Sequence, residues 1–414
     1  MEEEAYVWIW LPGATEPVVA GRLARDGDVL RFNYGQSYLS RPDRIAIYEP
    51  ELPLVPGQIP LPQGLSMPGA IRDGAPDAWG RRVIINRTFG HRRDDIDVGQ
   101  LDELTYLLES GSDRIGALDF QRSPTDYAAR EGRAASLEEL MTAAERVERG
   151  VPLTPELELA LYHGSALGGA RPKALIEDEG RKFIAKFSSS TDLFNVVKGE
   201  FVAMRLAEQV GLDVAPVRLV RTAGRDVLLI ERFDRTHRPA GWSRRAMVSA
   251  LTLFELDEMN ARYASYEDLA EIIRRRFDDP IPTLRELFGR LAFNIIVGNT
   301  DDHARNHAAF WDGRALRLTP AYDICPQGRA GNEATQAMLI RGQERWSRLS
   351  LCVEAAPQFR LTPVEAREVI DRQIATVESE WGAVCEEAGL SEVDRRLMWS
   401  RQVLNPFSLE GYRG

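Results

Sequence analysis

The run from Gly289 to Asp323, GRLAFNIIVGNTDDHARNHAAFWDGRALRLTPAYD, constrains the fold of this chain more than any other. Leu291, Ala292, Phe293, Ile295, Ile296 and Val297 make an apolar helix or strand that leads up to Gly298. Asn299, Thr300, Asp301, Asp302, His303, Arg305, Asn306 and His307 then follow almost without interruption. Ala309 and Phe310 close the loop, and Leu316, Leu318 and Ala321 deliver one more acid, Asp323. So abrupt a change of polarity calls for a loop hung on a rigid scaffold, the usual place for function.

Asp301 and Asn306 stand in the order Asp-x-x-x-x-Asn, the spacing of a phosphoryl-transfer loop. In such loops the Asp accepts the proton of the acceptor hydroxyl and the Asn helps to hold magnesium. Asp323, in AYDICP, is placed to complete the metal site. Magnesium takes carboxylate, amide and phosphate oxygens in preference to sulfur or imidazole. The spacing alone is common among loops, where Asn and Asp also form Asx turns and helix caps. The remaining parts of a kinase must therefore be found upstream.

The totals permit them. A chain of 414 residues has material for two or three domains, and 44% hydrophobic with 28% charged residues is ordinary for a globular protein. MEEEAYVWIW puts acids where a signal peptide needs a basic region, and its apolar run is too short to span a bilayer. Cys325, Cys352 and Cys385 are scattered and lack metal-ligand spacing, so a reduced, cytoplasmic location is expected. A net charge of −11 argues against direct binding to nucleic acid, which needs clustered Lys and Arg. It does not exclude a DNA-binding partner, and RRRF at Arg274–Phe277 reads either as a local basic face or as the solvated side of a helix.

Along the chain, Tyr6–Leu11, Val18–Leu23 and Val29–Tyr34 read as short strands separated by Pro-Gly and Asp-Gly turns. Asp77–Phe89 reads as a helix, Asp119–Arg133 as a polar linker, and Ser136 with Glu139 as a capping box. Strands are expected at Ala174–Ile176, Phe183–Phe187, Val217–Val220 and Val227–Ile230, with a helix from Phe201 to Val210 ended by Gly211. After Ser243 the chain turns largely helical. The division expected is a β-rich N-terminal domain over 1–148 and a catalytic domain over 149–414.

Gly164–Lys173, GSALGGARPK, is a Gly-rich loop that serves either as a tight turn or as a phosphate cradle to which Arg171 and Lys173 add charge. Lys186 is isolated in the apolar strand FIAKF, so it either snorkels at an edge or reaches into a cleft. In kinases such a Lys contacts the α/β-phosphates and pairs with a helix Glu. Glu200 is the candidate, with compensation of the dipole in a first helical turn as its other reading. Leu228–Arg235, LLIERFDR, has the form of a hinge whose backbone at Glu231, Arg232 and Phe233 meets adenine, with Asp234 near the ribose. Alone it reads equally as a strand end with a salt-bridged turn. All six parts stand in kinase order.

GGARPKALI, ERFDR, GNTDDHARN and PAYD, together with SRPDRIAIYEPELPL and PDAWGRR, resemble the HipA serine/threonine-kinase toxins of bacterial type II toxin–antitoxin systems over nearly the whole chain. The resemblance implies an α+β, bilobal protein-kinase-like fold with a β-rich N-terminal part and a larger, mostly helical C-terminal lobe. It implies Asp301 as catalytic base and Asn306 and Asp323 as magnesium ligands. Gly168, Gly169, Ala170, Arg171, Pro172, Lys173, Lys186, Glu231, Arg232, Phe233, Asp234, His303, Ala304, Arg305, Asn306, Tyr322 and Asp323 would line ATP. The substrate implied is a serine of a translation component, notably an aminoacyl-tRNA synthetase, and the outcome growth arrest. The partner implied is a helix-turn-helix antitoxin, HipB-like, that neutralises the kinase and binds operator DNA. Members commonly carry an autophosphorylated serine ahead of the Gly-rich loop. Anchoring on GGARPK puts that position on Ala166, so Ser165, one residue earlier, becomes the candidate. A small-molecule kinase and a nucleotide-binding scaffold or co-repressor without turnover are the alternative functions.

Overall fold

The computed structural model describes residues 2–89, 101–132, 135–162, 166, 171–189, 192, 195–329 and 331–412. Its contacts divide the chain into two compact units. One holds Met1–Thr191, Val220–Val248 and Phe310–Arg314; the other holds Asp192–Leu219, Ser249–Ala309 and Ala315–Gly414. This division by packing differs from a cut at 148/149, because residues up to 191 and the Val220–Val248 stretch group with the N-terminal residues.

The first unit opens with strands β1 (Glu4–Ile9), β2 (Val18–Asp26) and β3 (Val29–Tyr34), and β4 (Leu118–Gln121) joins them in the order β3-β2-β1-β4. Asp26 pairs with Val29 across a Gly27-Asp28 turn, where Gly27 supplies a φ of +62° that a side chain would resist. The β4 strand corrects the expected linker. Asp119 and Gln121 are paired with Trp8 and Tyr6, and Asp119 is wholly buried. Its carboxylate receives Ser112 Oγ at 2.7 Å, Arg114 Nε at 2.9 Å and Arg130 Nη2 at 2.8 Å. The expected linker is therefore a buried strand at its start, and from Arg122 to Glu131 it runs as irregular, mostly exposed chain.

The second sheet of this unit has the order β5-β6-β8-β7, with β5 at Lys173–Asp178, β6 at Arg181–Phe187, β7 at Val217–Thr222 and β8 at Arg225–Glu231. Helix Leu137–Glu148 covers one face, started by the Ser136–Glu139 capping box. Its Leu140, Ala144 and Val147 join Trp79, Phe183 and Phe187 in one apolar cluster. Trp79, from helix Ala78–Phe89, also donates its indole N–H to the Lys173 carbonyl at 2.9 Å. At the end of β8 the chain enters a buried ion cluster. Asp113 Oδ1 accepts from Arg232 Nη1 at 3.0 Å and from Arg235 Nε and Nη2 at 3.0 and 2.9 Å. Asp234 accepts from both arginines and from the Gly116 N–H.

These carboxylates fix the pH dependence of folding. Burial pushes Asp113, Asp234 and Asp119 up, but the guanidinium groups beside them outweigh it and hold each below the ordinary value of 3.8. Groups so depressed stabilise the fold above their unfolded pKa, and the contribution is lost as pH falls through the folded values. Glu51 has the opposite sign. Burial raises it from 4.5 to about 7 although it accepts from the Gly69 and Ala70 N–H groups, so its contribution is complete below 4.5 and lost as pH rises through about 7. A melting series should therefore show Tm falling steeply below about pH 4 and declining again toward pH 8, with Glu51→Gln flattening only the upper limb. A Tm independent of pH across the acid range would contradict this account of the cluster.

In the second unit, helix Pro280–Val297 runs through the core, with Leu291 to Val297 at most 3% exposed. The apolar run before Gly298 is thus helical. Gln373, on helix Pro363–Glu387, donates to the Gly289 carbonyl at 2.9 Å, and that long helix starts from a Thr362–Glu365 capping box. Gly298 ends the central helix in the left-handed region at φ +72°, where a Cβ would lie 2.4 Å from the Gln402 carbonyl oxygen. Only glycine fits there, so the loop that follows leaves the helix at a fixed angle. Among the described residues no helix is long and apolar enough to cross a membrane.

Candidate active site

The loop after Gly298 is anchored at both ends. Asn299 returns its backbone N–H to the Asn294 carbonyl at 2.8 Å and its side-chain amide to Asn294 Oδ1 at 2.9 Å. Beyond it the side chains alternate in environment. Asp301 is exposed, whereas Asp302 beside it is 3% exposed. Asp302 Oδ2 accepts from the Tyr266 hydroxyl and lies 3.0 Å from His307 Nε2. The buried neighbour thus fixes the backbone from below and presents Asp301 outward. The brace under the loop is thus the buried set Asp302, His307 and Tyr266.

Asn306 closes the loop on itself. Its N–H donates to the His303 carbonyl at 2.8 Å, and its side-chain amide donates to the Asp301 carbonyl at 3.2 Å. That leaves Asn306 Oδ1 outside the loop's own bonding. Ala304 is buried in the same short turn, and Arg305 pairs with Glu258. The Tyr322 hydroxyl donates to the Arg305 carbonyl at 2.7 Å, joining the AYD segment to the loop. Ala321 is held by hydrogen bonds to Asp213 and Ala215. Two residues further on, Asp323 adopts φ +60°, a left-handed conformation that costs a non-glycine residue on the order of 1 kcal/mol or more. Asp323 also acts on Asp301. Asp301 is open to solvent at its surface but partly enclosed by the loop, and that enclosure raises its pKa, His303 offsets part of the rise, and the Asp323 charge adds to it.

Two carboxylates that repel, one on a strained backbone, and the amide of Asn306 bonded to the Asp301 carbonyl supply hard oxygen donors of the kind magnesium takes. Among the described residues no three His, Cys, Asp or Glu side chains gather into a self-sufficient metal cage. A magnesium ion shared with phosphate oxygens needs only one or two protein ligands.

Lys173, Lys186 and the ERFDR segment, expected to line ATP, lie in the other unit. Phe183, Ala185 and Phe187 face the helical cover, so the pleat turns Lys186 to the opposite face of β6. Lys173 is its cross-strand partner, and both are buried, at 5% and 8% exposure. Pro172 precedes them and accepts the Phe187 N–H at 3.0 Å; Arg171 is half-buried. Gly168, Gly169, Ala170 and Ser165 lie outside the described residues. Glu200 is not in a first turn, because its helix begins at Val196 and the carboxylate is 2% exposed in the second turn.

The ERFDR segment divides. Glu231 ends β8, and Phe233 sits in the following turn with its ring edge-on to Phe310. The Arg232 N–H is taken by the Lys182 carbonyl at 2.8 Å, and its guanidinium belongs to the ion cluster. Asp234 is 2% exposed with its oxygens bound by two guanidinium groups, so the expected ribose contact does not fit. Asp113, the counter-ion of the segment, was not legible in the sequence, because nothing in SGSDRIG marks a partner more than a hundred residues away.

A model of the HipA-like C-terminal domain matches residues 165–381, more than half of the chain, and a model of the HipA N-terminal domain matches 10–121. The chain belongs to the HipA family. Similar curated proteins are a putative kinase of Sinorhizobium fredii, 32% identical over 34% of this chain and 33% of the relative, and a putative kinase of Haemophilus influenzae, 27% identical over 44% and 59%. A third, the serine/threonine-protein kinase toxin HipA of Shewanella oneidensis, is 26% identical over 38% and 42%. The chain thus spans between a third and three fifths of these relatives. Among solved structures, the complex of HipA, HipB and operator DNA from Shewanella oneidensis contains a chain that matches with a TM-score of 0.69 at 19% identity, covering 95% of this chain and 93% of that one. The HipA fold, α+β and kinase-like, therefore extends over almost all 414 residues.

Proposed function

We propose that this HipA-family chain is a kinase that transfers the γ-phosphate of MgATP to a serine of a protein substrate. The observation that carries the reading is the convergence of Asp301, Asn306 and Asp323 on one braced loop system. Lys173 and Lys186 support it. They stand directly opposite each other on neighbouring strands, so together they would offer two cations to a polyphosphate.

In the proposed reaction the serine oxygen bonds to the γ-phosphorus and the bond to the bridging oxygen of ADP breaks. Asp301 accepts the hydroxyl proton. Positioning and charge stabilisation supply most of the acceleration. Asn306 and Asp323 would hold a magnesium ion, which neutralises charge on the phosphate oxygens when bound. The backbone at Glu231 and Phe233 would seat the adenine. Neutralisation by a DNA-binding antitoxin, action on a translation component such as an aminoacyl-tRNA synthetase, and growth arrest complete the proposal. It is supported by the complex of HipA with HipB and operator DNA and by the toxin name of the Shewanella relative.

Calorimetric titration of the full chain with ATP tests the metal role. Magnesium should tighten ATP binding in the unaltered chain, and Asp323→Ala should abolish that dependence while leaving metal-free affinity in place. Equal affinity with and without magnesium in the unaltered chain would contradict the assignment.

A further inference from the structure

Asp113 lies in the N-terminal family domain, yet its carboxylate is spent on the segment that follows β8. Oδ1 takes three guanidinium N–H groups, one from Arg232 and two from Arg235, and Oδ2 takes Lys182 Nζ at 2.6 Å. The neighbouring backbone adds to the grip. The Asp113 carbonyl accepts from Arg232 at 3.1 Å, the Arg114 carbonyl accepts from Arg232 at 2.6 Å and also from Arg235, and the Gly116 carbonyl accepts from Arg235 at 2.8 Å. Arg232 and Arg235 bracket Phe233 and Asp234, so both ends of a four-residue turn are pinned to Asp113–Gly116. The side chains of Arg232 and Arg235 are 1% and 0% exposed and Asp113 is 9% exposed, which keeps water from substituting for the pairing.

Charge balance makes Asp113 the decisive member. The cluster holds three cations, Arg232, Arg235 and Lys182, against two carboxylates, Asp113 and Asp234. Without Asp113 the two arginines would compete for Asp234, and the turn that carries Phe233 would lose its tether. We propose that Asp113 is a positioning residue for nucleotide binding, an N-terminal-domain carboxylate that sets the backbone of the adenine seat at Glu231–Phe233. The inference rests on the kinase reading of that segment. It assigns the N-terminal domain a direct part in nucleotide affinity.

The test compares binding of ATP with binding of inorganic tripolyphosphate, which lacks the adenine, to the full chain. Asp113→Asn keeps the shape and removes the charge. It should weaken ATP on the order of tenfold, the scale of a lost hydrogen bond to a charged group, and leave tripolyphosphate unchanged. In turnover, KM for ATP should rise while kcat stays within about twofold, because the reacting groups are not displaced. Val7→Ala, in the core of the first sheet of the same unit, should lower Tm without moving the ATP affinity. If Asp113→Asn fails to fold, Lys182→Met, which removes only the Oδ2 partner, should still weaken ATP by a smaller factor and spare tripolyphosphate. Unchanged ATP affinity in a folded Asp113→Asn chain, or equal losses for both ligands, would overturn the proposal. No ATP binding by the unaltered chain would instead overturn the kinase reading and this inference with it.

Discussion

Asp301→Asn is expected to reduce phosphoryl transfer by about 10²–10⁴-fold, the usual contribution of a positioned general base, with Tm unchanged. The fold should tolerate the change because the Asp301 side chain is exposed, and the loop's bonds run through its backbone carbonyl, not its carboxylate. Asp302 makes the informative contrast. It is buried against Tyr266 and His307, so Asp302→Asn should lower both Tm and activity, the mark of a brace. An Asp301→Asn chain that transfers phosphate at the unaltered rate would remove Asp301 from the base role. The Asn306 and Asp323 assignments would then have no proton acceptor beside them.

Removal of residues 1–148 should leave a chain that does not fold cooperatively. The region left behind, 149–414, contains every residue assigned to ATP or magnesium and is the stretch expected from sequence order to be the catalytic domain. The packing is different. Deletion strips helix Leu137–Glu148 and Trp79 from the β5-β6-β8 face, exposing Phe183, Phe187, Val227 and Leu229. It also leaves Arg232 and Arg235 without Asp113. Breaking a buried ion pair by removing one partner costs roughly 3–5 kcal/mol, and a whole domain is stable by only about 5–15 kcal/mol. The fragment should aggregate or melt without a transition, and it should not bind ATP. A soluble fragment with a cooperative melt and the full-length affinity would show that the sheet does not depend on the N-terminal residues.

Local signals were legible and distant ones were not. The Ser136–Glu139 and Thr362–Glu365 boxes lie within one helical turn, and both form as the sequence requires. The strand at Val29–Tyr34 was legible residue for residue, because an Asp-Gly turn and alternating apolar positions fix its start and register. Asp301, Asn306 and Asp323 could be singled out from their order alone, and hydrogen bonds of Asn306 and Tyr322 join the segments that carry them. Asp113 was not, since its partners lie more than a hundred residues downstream and no periodicity links them. The stretch from Asp119 to Arg133 misled for a related reason. Asp119 and Gln121 at its start are buried and paired while most of the residues after them are exposed, and composition alone cannot separate a buried pair from a solvated face. Asp234 shows the same confusion at the hinge, where an acid expected to meet ribose is taken up by two arginines.

The most direct test is to incubate the full chain with γ-labelled MgATP and a cell extract, then identify where the label goes. The account predicts one or a few discrete proteins labelled on serine, with magnesium required and labelling lost in Asp301→Asn. Label that reaches only a small molecule, or ATP that binds without any transfer of its phosphate, would contradict it.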